Sequence, residues 1–167
     1  YKSFMEWGMD GEANSFLEEV LHLLSENLPL SPNPKKLCWG DSRIGNVLFE
    51  DFQVKSLLDW EMATIGDPLC DLAWGLTTDD VSSYGLNIEK LPGSISNEEA
   101  IKFWEKNTGY SADNFFYYRI LCLFKFSVIM IRVAKKLIHN EIMPLDSDFH
   151  VNNHVSNYLR QEFNEKN

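Results

Sequence analysis

Asp41, Asn46 and Asp59 are the residues whose types and spacing suggest chemistry. Asp41 stands five positions before Asn46 in Cys38-Trp39-Gly40-Asp41-Ser42-Arg43-Ile44-Gly45-Asn46, and Asp59 follows in Leu57-Leu58-Asp59-Trp60-Glu61. Between them, the apolar runs 47–49 and 54–58 flank the polar Glu50, Asp51 and Gln53, which predicts a β-hairpin. With a turn centred on residues 51–55, Glu50 pairs with Lys55, Val47 with Leu58 and Asn46 with Asp59. Directly opposed residues have Cβ atoms about 4.5–5.5 Å apart. An Asn carbonyl oxygen and a carboxylate at that separation are hard ligands for Mg²⁺, which keeps several waters and takes further oxygens from phosphates. Asp41, on the preceding loop, can accept a hydroxyl proton. Together these roles belong to phosphoryl transfer.

Capping residues and periodicity predict the elements that must hold these groups. Ser15 and Glu18 have capping-box spacing and open a helix over 15–27, with Phe16, Leu17, Val20, Leu21, Leu23 and Leu24 on its apolar face. Pro29, Pro32 and Pro34 end it in a loop. Asp67 as N-cap and Pro68 at the first helical position open another helix, which carries Leu69, Leu72, Ala73 and Trp74. Residues 77–96 are polar, contain Pro92-Gly93 and read as a long loop. Ser96 with Glu99 caps a helix that stops near Gly109. An apolar helix over 113–139 follows, and after Pro144 a last one over 148–163. The expected class is α+β, mostly helical, with one small sheet in a single domain over 1–167.

Composition narrows the functional classes. Twenty-five Asp+Glu against 15 Lys+Arg give a net charge of −10, the opposite sign from a nucleic-acid binder. Residues 41–100 hold most of the excess: twelve acids against Arg43, Lys55 and Lys90, a setting that attracts cations. Cys38, Cys70 and Cys122 have no zinc spacing and suit a reducing, cytoplasmic compartment. The longest apolar stretch, 115–133, is interrupted by Arg119, Lys125 and Arg132, so it reads as a buried helix and no membrane is expected as partner. His150 and His154 stand four apart without a third metal ligand, which leaves them a helix-surface or capping role. Neither a phosphate-cradling glycine loop nor a hydrolase nucleophile elbow occurs in the sequence.

The strings GDSRIGN, LLDWE and GDPLCDLAW resemble the C-terminal lobe of the aminoglycoside phosphotransferase and choline kinase family. Among its branches they look most like the one related to kinase-like domains fused to acyl-CoA dehydrogenases. The resemblance implies a protein-kinase-like fold, of which this chain would be the C-terminal lobe, with a small β-hairpin carrying the catalytic loop and metal-binding residues. It implies an enzyme that takes ATP as co-substrate with Mg²⁺ and phosphorylates a hydroxyl of a small molecule. Asp41 resembles the catalytic base, Asn46 and Asp59 the metal ligands, and Asp71 the buried Asp that hydrogen-bonds the catalytic-loop backbone. Arg43 and Glu61 lie in the same motif, open to a structural ion pair or to substrate or phosphate contact. The family's His is replaced by Trp39, expected to keep that residue's packing role and lose its hydrogen bond.

Residues 1–36 resemble neither the glycine-rich strand pair nor the Lys that grip ATP in the kinase arrangement. The expectation is therefore a C-terminal lobe alone, with negligible turnover by itself. Its face toward the absent lobe would be exposed and partly apolar, which favours self-association. The alternative is a kinase-like binding or regulatory module without turnover. The acceptor stays open between an amino sugar, a choline-like cation and a hydroxyacyl thioester.

Overall fold

In chain order the elements are α1 (Lys2–Met9), α2 (Ser15–Glu26), β1 (Lys36–Cys38), β2 (Val47–Glu50), β3 (Gln53–Leu57), β4 (Thr64–Gly66), α3 (Leu69–Ser83), α4 (Asn97–Thr108), α5 (Phe115–His139) and α6 (His154–Asn164). The computed structural model describes residues 2–11 and 13–165. They are mostly helical with short antiparallel ribbons, the expected α+β class. The contacts divide the chain into one unit of Tyr1–Leu28 with Ile120–Asn167 and another of Pro29–Arg119.

The first unit is a helix packing. Leu17, Val20 and Leu24 of α2, Phe124, Val128 and Ile131 of α5, and Val155, Leu159 and Phe163 of α6 are buried. Their three- and four-residue spacing places each set on one helix face. Gly8 of α1 lies so close to α5 that a Cβ there would meet the Val128 side chain at 2.6 Å. The cap of α2 is Asn14, whose side chain accepts from the Leu17 N–H at 3.1 Å, rather than the expected Ser15. The last helix starts at His154 with Asn153 as its cap, so His150 lies outside it.

The second unit holds two ribbons, β1 with β4 and β2 with β3, where one sheet was expected. The β2–β3 turn is also tighter than the sequence suggested. Asp51 and Phe52, both at positive φ, form a two-residue loop. Val47 therefore faces Leu57 and Leu48 faces Ser56, with an irregularity before Phe49. Asn46 comes opposite Leu58, whose N–H donates to the Asn46 carbonyl at 2.8 Å, and Asp59 is one residue further on. The sequence offered no Gly or Asn to mark this turn, and Asp-Phe at left-handed dihedrals is an uncommon choice.

Helix α3 runs to Ser83, through residues expected to be loop. Thr77, Thr78 and Asp80 are buried there; Thr78 and Asp80 find partners, while the Thr77 hydroxyl makes no hydrogen bond. The Thr78 hydroxyl donates back to the Trp74 carbonyl at 2.8 Å. Asp80, 1% exposed, accepts from Lys90, Asn97 and Arg119, each at 2.7 Å. At the start of α3, the Asp67 carboxylate accepts from the Leu69 N–H at 2.9 Å, from the Asn33 N–H at 2.8 Å and from the Tyr118 hydroxyl at 3.2 Å. These two acids tie the loops of the unit to α3, the helix that also carries the candidate site.

Candidate active site

The loop between β1 and β2 lies on one face of α3. Asp71, half-buried in the first turn, accepts from the backbone N–H of Trp39 at 2.7 Å and of Gly40 at 2.8 Å. The Ser42 hydroxyl donates to the Asp71 carbonyl at 2.6 Å. Two glycines let the loop pack closely, Gly75 where it meets α3 and Gly40 where it meets the turn after β3. A Cβ on Gly75 would stand 2.7 Å from the Ser42 carbonyl oxygen. Gly40 sits at φ +91°, and a Cβ there would be driven to 2.2 Å from the Met62 carbonyl oxygen.

The carboxylate of Asp41 is enclosed by donors. Its Oδ1 accepts from Trp74 Nε1 at 2.7 Å; its Oδ2 accepts from Asn46 Nδ2 at 2.6 Å and from Arg43 Nε at 3.0 Å. Burial pushes this carboxyl up, but the Trp74, Arg43 and Asn46 hydrogen bonds and the Arg43 charge outweigh it, and the group lies below the usual carboxylate range. It is an anion at neutral pH and a weak base. The Asn46 amide is oriented by the same contact, since the reverse flip would set its oxygen against a carboxylate. With Nδ2 on Asp41, Oδ1 is turned away from it.

Asp59 is exposed at the end of β3 and sits at φ 55°, a strained conformation that Asp tolerates better than most residues. It follows Leu58, whose carbonyl accepts from Trp39 Nε1 at 2.7 Å. Trp39 thus keeps a hydrogen bond as well as packing, contrary to the expectation for this substitution; its ring centroid lies 6.0 Å from that of Trp60. Arg43 is an ion-pair partner of Asp41, and Glu61 is exposed on the following turn. The structure therefore joins Asp41, Arg43, Asn46 and Asp71 in one network, links it to the residue before Asp59, and leaves Glu61 outside. Beside the loop, a trough of about 610 Å³ opens between Ser42, Arg43 and Gly45, the α3 residues Gly75 and Asp79, and Asn97.

A sequence profile of the phosphotransferase enzyme family (APH) matches residues 2–103. The chain belongs to that family. The match takes in the whole Asp41 loop, the β2–β3 ribbon and α3. Among curated relatives, acyl-CoA dehydrogenase family member 11 of Pongo abelii is 32% identical over 124 residues, covering 68% of this chain and 16% of that protein. The Gallus gallus protein of the same name is 33% identical over 138 residues, covering 74% and 18%. The chain thus spans less than a fifth of the length of these relatives. The crystal structure of a candidate aminoglycoside phosphotransferase from Ralstonia eutropha JMP134 superposes with a TM-score of 0.69 at 17% identity, over 97% of this chain and 52% of that one. That likeness shows a kinase-like lobe of the phosphotransferase fold.

Within this phosphotransferase lobe, the residue that sequence reasoning passed over is Trp74. Its signal was present: it lies three positions after Asp71, on the same helix face, and a buried indole N–H usually finds an acceptor. Among the described residues no group of three His, Cys, Asp or Glu could hold a metal ion. No helix there is long and apolar enough to cross a membrane.

Proposed function

We propose that this phosphotransferase lobe serves, within the full natural chain, the transfer of the γ-phosphoryl group of ATP, with Mg²⁺, to a hydroxyl of a small molecule. The acceptor oxygen forms its bond to the γ-phosphorus as the bond to the β,γ-bridging oxygen breaks; ADP leaves and the acceptor proton passes to Asp41. The observation that carries the reading is the 2.6 Å contact between Asn46 Nδ2 and Asp41 Oδ2. It orders the anionic group that would take the hydroxyl and directs the Asn46 oxygen elsewhere. Asp41 held as a weak base suits a loose transition state, in which positioning and charge neutralisation supply most of the rate.

The donor set fits Mg²⁺. An amide oxygen from Asn46 and a carboxylate from Asp59 are hard ligands, and waters and phosphate oxygens would complete the shell. When bound, the ion neutralises charge on the β- and γ-phosphates. The trough beside the loop supports an acceptor other than a polycationic amino sugar. Its acid, Asp79, is held by Lys90 at 2.7 Å, and its Arg43 is turned onto Asp41. The β2–β3 ribbon exposes Leu48, Phe49 and Val54, a surface that a second lobe would cover and that favours self-association without one.

The replacement of the family's His by Trp39 favours the alternative of a module without turnover; the indole bond to Leu58, which supports the Asp41 loop, speaks for the kinase reading. The test is phosphate transfer from Mg-ATP by the full natural chain to choline, an amino sugar and a hydroxyacyl thioester. Asp41→Ala and Asp59→Ala are expected to abolish transfer. Full activity in either variant removes its assignment.

A further inference from the structure

Asp41 has two carboxylate oxygens, and a carboxylate turns readily about its last side-chain bond because that torsion is broad. An acceptor hydroxyl needs only one of them. The partners of the two oxygens differ in kind. On Oδ2 are the buried amide of Asn46 and the guanidinium of Arg43, whose side chain is 52% exposed and free to withdraw toward solvent. On Oδ1 is the indole of Trp74, a residue 4% exposed, at 2.7 Å. That distance is short for an N–H donor, as an ionised acceptor makes it. The indole cannot leave without opening the packing around α3, so Oδ2 is the oxygen able to exchange a partner.

The same helix face fixes the backbone on both sides of Asp41. Asp71 holds the Trp39 and Gly40 N–H groups through its carboxylate and the Ser42 hydroxyl through its carbonyl. Trp74 adds the side-chain constraint that these backbone contacts lack.

We propose that Trp74 is a positioning residue: its buried indole N–H occupies Oδ1 of Asp41 and so presents Oδ2 to the acceptor hydroxyl. This rests on the phosphotransfer reading given above. Losing the bond leaves the carboxylate held at Oδ2 alone and free to turn about that contact, which lowers the fraction of encounters with the hydroxyl correctly held.

The experiment replaces Trp74 by 3-benzothienylalanine, an isostere with sulfur in place of the N–H, alongside Trp74→Phe. Transfer from Mg-ATP to choline, an amino sugar, a hydroxyacyl thioester and water is measured in the full natural chain. If Trp74→Phe fails to fold, the isostere, which conserves the packed volume, decides. The expected result is a fall in kcat on the order of tenfold to a hundredfold with KM for ATP and acceptor unchanged. Unchanged kcat in the isostere, or a fall matched by a rise in KM, overturns the positioning role while leaving the phosphotransfer reading intact. A wild-type chain silent on every acceptor overturns both.

Discussion

The indole of Trp39 donates to the Leu58 carbonyl at 2.7 Å and thereby ties the loop that carries Asp41 to the strand end that carries Asp59. The two halves of the candidate site come from different elements, and this bond fixes one against the other. Trp39→Phe keeps the ring and removes the donor. It is expected to lower stability by about 1 kcal/mol in urea titration and to weaken Mg-dependent nucleotide binding. Trp39→His, which restores a ring N–H, should recover part of that binding; if Phe binds as well as Trp, the link has no role in the site.

Asp71 accepts two backbone N–H groups of the loop that carries Asp41. Asp71→Ala leaves both donors without an acceptor, at about 1–3 kcal/mol for an unsatisfied buried group. Melting temperature and activity are expected to fall together. Unchanged melting with activity lost would place Asp71 in the chemistry itself.

The turn between β2 and β3 carries a removable strain. Phe52 sits at φ 59° and is 99% exposed, so its side chain repays nothing for a left-handed backbone. Phe52→Gly is expected to stabilise the protein by about 1 kcal/mol, read as a higher urea midpoint. A lower midpoint would mean that the ring contributes in a way its exposure does not reveal.

Asp80 contributes to the acid sensitivity of the fold. Burial raises its carboxyl, but hydrogen bonds from Lys90, Arg119 and Asn97 and the Arg119 charge outweigh it, leaving the group below its ordinary value of 3.8. A carboxyl depressed in the folded state stabilises it above the unfolded pKa, and that stability is lost as pH falls through the folded value. Urea midpoints should therefore drop as pH falls toward and below that ordinary value. Asp80→Asn is expected to be less stable at neutral pH, by about 3 kcal/mol, and to lose less on acidification from about pH 5 to pH 3. Parallel curves for the two proteins would contradict this.

The Asp41–Asn46 motif was more legible than the scaffold. Its spacing is read directly, and a hydrogen bond joins the two side chains, whereas Asp59 lies one residue past the position opposite Asn46. The sequence places Trp74 on the Asp71 face of its helix as a buried donor, but its acceptor is 33 residues away, and a contact of that kind leaves no local pattern. The second half of α3 reads as loop because Thr77, Thr78 and Asp80 point inward, so its sequence lacks the apolar stripe that marks a helix. The hairpin register slipped because Asp51-Phe52 adopts a turn normally signalled by Asn or Gly. Where local chemistry agreed with the fold, as in the Ser96–Glu99 capping box, the reading matched the structure.

In the proposed reaction Asn46 and Asp59 serve a metal-bound nucleotide. Calorimetric titration of the full natural chain with ATP, in Mg²⁺ and in EDTA, tests it most directly. Affinity is expected to rise on the order of tenfold or more with Mg²⁺, about 1.4 kcal/mol, and Asp59→Ala should lose that rise while keeping its melting temperature. Equal affinity with and without Mg²⁺ in the wild type, or a full Mg²⁺ effect in Asp59→Ala, would contradict the account.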